Sequence, residues 1–202
     1  MLRDGRVKPE RRSSYFKLLA RQSERLTFLM DNILDATSRE IGKRRYYFEM
    51  ISLDRLLEDF STEFVPALEA EGFTLRLFIE KNLQKVRMDR AAVQQALTNL
   101  IDNARKFSSP GSNIDLKAGR APGRQFISVR DYGPGIDAVT RKNIFRPFFR
   151  GTSATKAGIP GSGLGLSLVK SVMDSHKGTV RVESAPGEGS VFILEFPLRS
   201  KE

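Results

Sequence analysis

Residues 158–168 read Gly-Ile-Pro-Gly-Ser-Gly-Leu-Gly-Leu-Ser-Leu. Gly161, Gly163 and Gly165 alternate with single residues, and an apolar helical pattern follows. Backbone without side chains can approach a phosphate closely, and a helix mouth adds unpaired N–H groups and partial positive charge. Ordinary tight turns have the same composition. A second constellation is Asn99, Asn103 and Lys106, at i, i+4 and i+7 beside an apolar face of Val93, Ala96, Leu97, Leu100, Ile101 and Ala104. An asparagine offers a hard oxygen to Mg²⁺ and a lysine offers charge to phosphate. A polar helix face with chance amides fits as well. Third, Asp131-Tyr132-Gly133-Pro134-Gly135-Ile136 follows an apolar strand. A carboxylate there can accept a hydrogen bond from an exocyclic amine, and the spaced glycines let a flat ring lie close; a hairpin exit turn also suits this composition. Finally, Ile144–Gly151 carries Phe145, Phe148 and Arg150 ahead of a small, polar, basic stretch. It reads as the hinge of a lid, with Phe145 and Phe148 anchored in the domain's own core.

Strands and helices must interleave to position these groups. Strands are expected over 46–53, 73–80, 85–88, 114–118, 125–131, 179–184 and 190–197. Helices are expected over 54–71, 90–107, near 139–144, and over 162–177. Hairpins mixed with helices point to an α+β two-layer sandwich, a mixed sheet covered by helices on one face. Ahead of it, residues 9–40 read as one long helix. Tyr15, Leu19, Leu26, Leu29, Ile33 and Ala36 fall on 3–4 spacing, and no other long helix in the chain matches that stripe. The expected division is a bundle-forming segment over 1–44 and a sandwich over 45–202, with a basic hinge at 42–45.

Length and composition narrow the classes. The 202 residues are 40% hydrophobic and include no cysteine, which excludes disulfides and cysteine-ligated metals. No run approaches the ~20 apolar residues a membrane span needs, so the expectation is a soluble, cytoplasmic piece whose full-length protein can still be anchored. The formal charge of +10 suits anionic partners. No nucleic-acid motif accompanies it, so nucleic acid is not the expected partner.

In order and spacing, Asn-x3-Asn-Ala-x-Lys, Asp-x-Gly-x-Gly-Ile, Phe-x-x-Phe and Gly-x-Gly-Leu-Gly-Leu resemble the N, G1, F and G2 boxes of the sensor histidine kinase ATP-binding domain, in the GHKL superfamily. The resemblance spans 46–198. Residues 26–35 resemble the second helix of that family's dimerisation and phosphoacceptor hairpin. The resemblance implies a Bergerat-type fold with ATP and Mg²⁺ as cofactors. It makes Asn103 the Mg²⁺ ligand and brings Asn99 and Lys106 toward the phosphates. Phe107 would flank the base, where the family often has tyrosine. Asp131 would read the adenine amine, with Ser190 through water, in a pocket shaped by Gly133, Gly135 and Ile136. Arg150 and residues 151–160 would form the ATP lid. Gly161, Ser162, Gly163, Leu164 and Gly165 would cradle phosphate.

Two departures matter. The family's acceptor histidine lies on the first hairpin helix, whereas the single histidine here, His176, ends the helix after the glycine loop. It reads as a helix-terminal residue favoured by the dipole. No catalytic acceptor is therefore assigned within the chain. The expected partners are a histidine-bearing acceptor helix, a response-regulator receiver domain and a second copy joined through the hairpin helices. In addition, ATP-hydrolysing GHKL relatives place a glutamate where Asn99 stands, so the resemblance implies phosphoryl transfer rather than hydrolysis. A nucleotide-binding module without kinase activity and an anti-sigma-type serine kinase are the alternatives. The long N-terminal helix argues against the second.

Overall fold

The first strand is shorter than expected. In the computed structural model, which describes residues 45–151, 159 and 161–198, β1 covers only Glu49–Ile51. It pairs antiparallel with β3 (Val86–Met88) in a small separate sheet. The helix expected over 9–40 lies outside the described residues. The chain divides into two units, and 46–202 is the second.

Helix α1 (Leu53–Ala70) turns Leu53, Leu56, Leu57, Phe60 and Leu68 inward. It ends where the Phe73 and Gly72 amides bond back to the Leu68 and Glu69 carbonyls, a glycine-closed C-terminus. Helix α2 (Arg90–Phe107) begins at Asp89, whose Oδ1 accepts the Ala92 N–H at 2.9 Å. Ala92, Val93, Ala96, Leu97, Leu100, Ile101 and Ala104 form its buried face. Each fully buried Leu or Ile there stabilises the fold by about 1.5–3 kcal/mol.

The main sheet runs in the order β2 (Thr74–Ile79), β4 (Asn113–Ala121), β5 (Arg124–Asp131), β7 (Ser190–Pro197), β6 (Thr179–Ser184). β2 is parallel to β4, and every other pairing is antiparallel. The two-residue side-chain period sends Ile114, Leu116, Ala118, Ile127, Val129, Phe192, Leu194 and Phe196 into one core with the helices. The opposite face carries Arg76, Asp115, Lys117 and Arg130. This is the mixed, one-side-covered sheet that the sequence predicts. Among the described residues no helix is long and apolar enough to cross a membrane.

Helix α3 (Ala138–Asn143) is capped by Asp137, and α4 spans Gly165–Ser175. The expected start of α4 at Ser162 is therefore three residues early. His176 needs a larger correction. It does stand at the C-cap of α4, yet it is only 5% exposed. Its Nε2 accepts the Asp89 backbone N–H at 2.9 Å, and Nδ1 faces the Val172 carbonyl at 2.6 Å. A backbone N–H can only donate, so the ring proton sits on Nδ1 and donates to Val172. The ring is a neutral strut between the start of α2 and the end of α4, not a cation favoured by the dipole. Tyr46, Phe48 and Phe196 pack edge-on around it.

Candidate functional site

Helices α2 and α4 lie side by side, and the glycine loop enters between them. Asn99 is buried. Its Nδ2 donates to the Gln95 carbonyl at 2.9 Å, and a Cβ added to Gly165 would stand 2.8 Å from its Oδ1. Asn99 thus supports the first residue of α4 from below. One and two turns further on, Asn103 and Lys106 are half-buried, and neither side chain hydrogen-bonds or ion-pairs with any described residue. Asp102 points elsewhere and pairs with Arg105 at 3.3 Å.

Among the described residues nothing caps the start of α4. Its first turn holds no acidic residue and no side chain caps it, whereas Asp89 and Asp137 cap α2 and α3. Leu164 is buried, Gly161 is exposed, and the Ser162 hydroxyl accepts the Leu164 N–H at 3.3 Å. Gly163 has φ +75° and lies against the backbone of Phe148, where a Cβ would come within 2.7 Å of the carbonyl carbon. Only glycine fits both demands.

That contact corrects the expectation for the aromatic pair. Phe145 is anchored, edge-on to Phe192 at 6.4 Å. Phe148 is 69% exposed at φ +60°, a conformation L residues with bulky side chains rarely adopt. Its backbone is what packs, against Gly163, and this turns the ring outward. Arg150 Nη2 donates to the Ile159 carbonyl at 2.6 Å. Residues 152–158 and 160 of the expected lid lie outside the described residues.

At the other end of the cleft, Asp131 is 5% exposed. Its Oδ1 accepts the Gly133 and Ser190 N–H groups at 3.0 and 3.1 Å. Burial pushes its carboxyl above the ordinary aspartate range; the amides of Gly133 and Ser190, the Ser190 hydroxyl and the Arg130 charge oppose that shift without cancelling it. Phe107 is half-buried, and its carbonyl backs onto Gly133 so closely that a Cβ there would stand 2.6 Å away. Gly135, at φ +72°, abuts the Ala185 carbonyl, which again leaves no room for a side chain.

Two supporting residues escape a reading of the sequence. The Ser184 hydroxyl accepts the Ile136 N–H at 2.8 Å and donates to the Gly189 carbonyl at 2.6 Å, so the β6–β7 turn is stitched to the Asp131 turn. A serine at a strand end gives no signal of this. The other is Tyr132, whose phenol lies on the outer face of the sheet beside Asp115 at 2.8 Å. Of the expected site, Asn99 meets the glycine loop at Gly165, and Asn103 and Lys106 follow one and two turns further along the same helix. Phe107, Asp131, Gly133, Gly135, Ile136 and Ser190 gather at the end of the sheet.

The family model for histidine kinase-, DNA gyrase B- and HSP90-like ATPases matches residues 88–200. The chain is 31% identical over 188 residues to the alginate biosynthesis sensor protein KinB of Pseudomonas aeruginosa, covering 93% of this chain and 31% of that protein. It therefore spans about a third of that relative's length. Among solved structures it resembles full-length ShkA in complex with AMPPNP, with TM-score 0.79 and 25% identity over 98% of this chain and 41% of that one. It also resembles histidine kinase ThkA in complex with the response regulator TrrA, with TM-score 0.74 and 25% identity over 95% and 52% of the two chains. With the fold, the two clusters and the matched span agreeing, the chain belongs to the histidine kinase-, DNA gyrase B- and HSP90-like ATPase family, and its named relatives are sensor histidine kinases.

Proposed function

We propose that this chain is the ATP-binding kinase portion of a two-component sensor, delivering the γ-phosphoryl of ATP to a histidine on an acceptor helix. The observation that carries the reading is the pair Asn103 and Lys106. Both are half-buried and uncommitted among the described residues, one turn apart, on the helix whose Asn99 meets the first residue of α4. Half-buried polar groups left without protein partners are poised for a ligand. Asp131 reads the adenine amine with its second carboxylate oxygen, and Phe107 flanks the ring. The amides of 163–165 and the N-terminus of α4 hold phosphate.

Asn103 fits Mg²⁺, a cation that takes oxygen ligands and shares its shell with phosphates and water. When bound there, the ion would supply charge neutralisation to the phosphates. Lys106 adds a point charge, and Asn99 fixes the height of α4 against α2. The position where a water-activating glutamate would act is held by Asn99, whose amide is tied to Gln95, and the neighbouring Asp102 is paired with Arg105. Phosphoryl transfer to an imidazole needs positioning and charge neutralisation more than a base.

The AMPPNP bound in ShkA and the response regulator bound by ThkA support ATP as substrate and a receiver domain as partner. Residues 1–44, whose sequence resembles part of a dimerisation hairpin, lie outside the described residues; a second copy of the chain is the partner proposed for them. The test is calorimetry with Mg·ATP, followed by labelling of an acceptor hairpin supplied in trans. Binding with acid-labile label on the hairpin is expected, and Asn103→Ala should remove the Mg²⁺-dependent part of the affinity. Binding without transfer would leave a nucleotide-binding module. No binding would refute the site.

A further inference from the structure

We infer that Tyr132, Asp115 and Arg76 form a clamp on the outer face of the sheet that positions the Asp131 turn for base selection; this rests on the reading of Asp131 as the base-recognising group. Arg76, Asp115 and Arg130 share one rung across β2, β4 and β5. Arg76 grips Asp115 with two parallel bonds, Nε to Oδ1 at 2.6 Å and Nη2 to Oδ2 at 2.8 Å. The Tyr132 hydroxyl donates to the same Oδ2 at 2.8 Å and accepts from Arg76 Nη2 at 2.9 Å. The Arg130 guanidinium lies over the Tyr132 ring, 5.0 Å from its centre.

Tyr132 follows the last residue of β5. Asp131 points into the domain and Tyr132 folds back over the opposite face, so consecutive side chains hold the chain from both sides of the sheet. Gly133 comes next, and the same turn must place the Asp131 carboxylate against the base. Glycines on the far side supply freedom to swing, and a bidentate arginine–carboxylate pair is a rigid point to tie against. Tyr132 is 42% exposed and fills no part of the core. Its hydroxyl binds an ion pair that touches neither Asn103 nor the glycine loop. The clamp acts through Asp131 alone.

The experiment is titration of the full chain with Mg·ATP and Mg·GTP for the parent, Tyr132→Phe, Asp131→Asn and the double variant, with thermal unfolding measured alongside. Tyr132→Phe keeps the ring over Arg130 and removes only the hydroxyl. It should lower the ATP-over-GTP preference about three- to tenfold, the worth of an oriented hydrogen bond. Asp115→Asn should do the same. Asp131→Asn should abolish the preference, and adding Tyr132→Phe to it should change nothing further. Lost thermal stability with an intact preference would overturn the clamp and make the network merely structural. If Asp131→Asn keeps the parent's preference, the base-reading role fails, and the clamp with it. If Asp131→Asn loses the preference and Tyr132→Phe keeps it, the clamp alone fails.

Discussion

Asp131 and Gln125 are both buried polar residues of β5, and they have opposite meanings. Asp131 has its carboxylate half satisfied by two amides and is costly to keep ionised. Acidification should therefore weaken ATP binding at a pH above the ordinary aspartate range, and Asp131→Asn should flatten that profile in calorimetry run across pH. Gln125 is 0% exposed, and neither end of its amide has a partner. A buried unsatisfied polar group costs about 1–3 kcal/mol. Gln125→Met, similar in volume and free of donors, should raise the unfolding free energy by about 1 kcal/mol in urea denaturation. A loss instead would mean that the amide is satisfied by water. The base-reading role of Asp131 is legible from its spaced glycines, but its burial and its two amide partners are not, and Gln125 reads as an ordinary strand residue. Asn99 is a third case. Its spacing with Asn103 and Lys106 marks the stripe, but spacing cannot show that the Gln95 carbonyl takes its amide.

At the scale of elements, helix α2 and the last hairpin were readable to the residue. A full apolar stripe and a Ser-Pro-Gly stop bound the one, and two alternating strands around Pro-Gly-Glu-Gly bound the other. The beginning of α4 was not, because alternating glycines carry no helical or extended preference and Gly163 is held by Phe148, which is remote in sequence. The same contact reverses the reading of Phe148. An aromatic at that spacing looks like an anchor until its backbone proves to be the part that packs. Phe148→Gly should leave the unfolding midpoint unchanged or raise it, since left-handed backbone costs a non-glycine residue about 1–2 kcal/mol. Phe145→Ala removes a ring packed on Phe192 and should destabilise by about 2–4 kcal/mol. Equal losses in the two, measured by thermal unfolding, would contradict this division of labour.

Across the whole molecule, stability and binding should respond to acid with opposite slopes. Asp131 has a raised folded value, so the strain of its charge is relieved as pH falls through that value. Other carboxylates are held low. The Arg120 amide and guanidinium lower Glu80, and the Thr140 hydroxyl and amide lower Asp137. Burial alone would raise Asp115, but Arg76 and Tyr132 outweigh it. Groups of that kind stabilise the fold above their unfolded value and lose the contribution as pH falls through the folded one. Their part is modest, because they lie at the surface. The melting temperature should therefore pass through a maximum on the acid side of neutrality while ATP affinity is already falling, and Asp131→Asn should remove the rise. The α+β class and the β4–β5 and β6–β7 hairpins were legible from strand alternation and helix spacing. The parallel β2–β4 pairing, and the separation of β1 and β3 into their own sheet, depend on long-range register that local patterns do not encode.

The place of β7 in the sheet sets a condition on how the protein is made. It is the last strand in chain order, yet it lies between β5 and β6, and its first amide, that of Ser190, is one of the two that hold Asp131. A nascent chain on the ribosome can assemble β2, β4 and β5 and still lack the strand that joins β6 to them, leaving β5 and β6 as open edges. The hold on Asp131 is thus completed only once β7 has been made. A product interrupted before Ser190 should be aggregation-prone and blind to ATP, so that competence to use ATP reports that translation has passed β7.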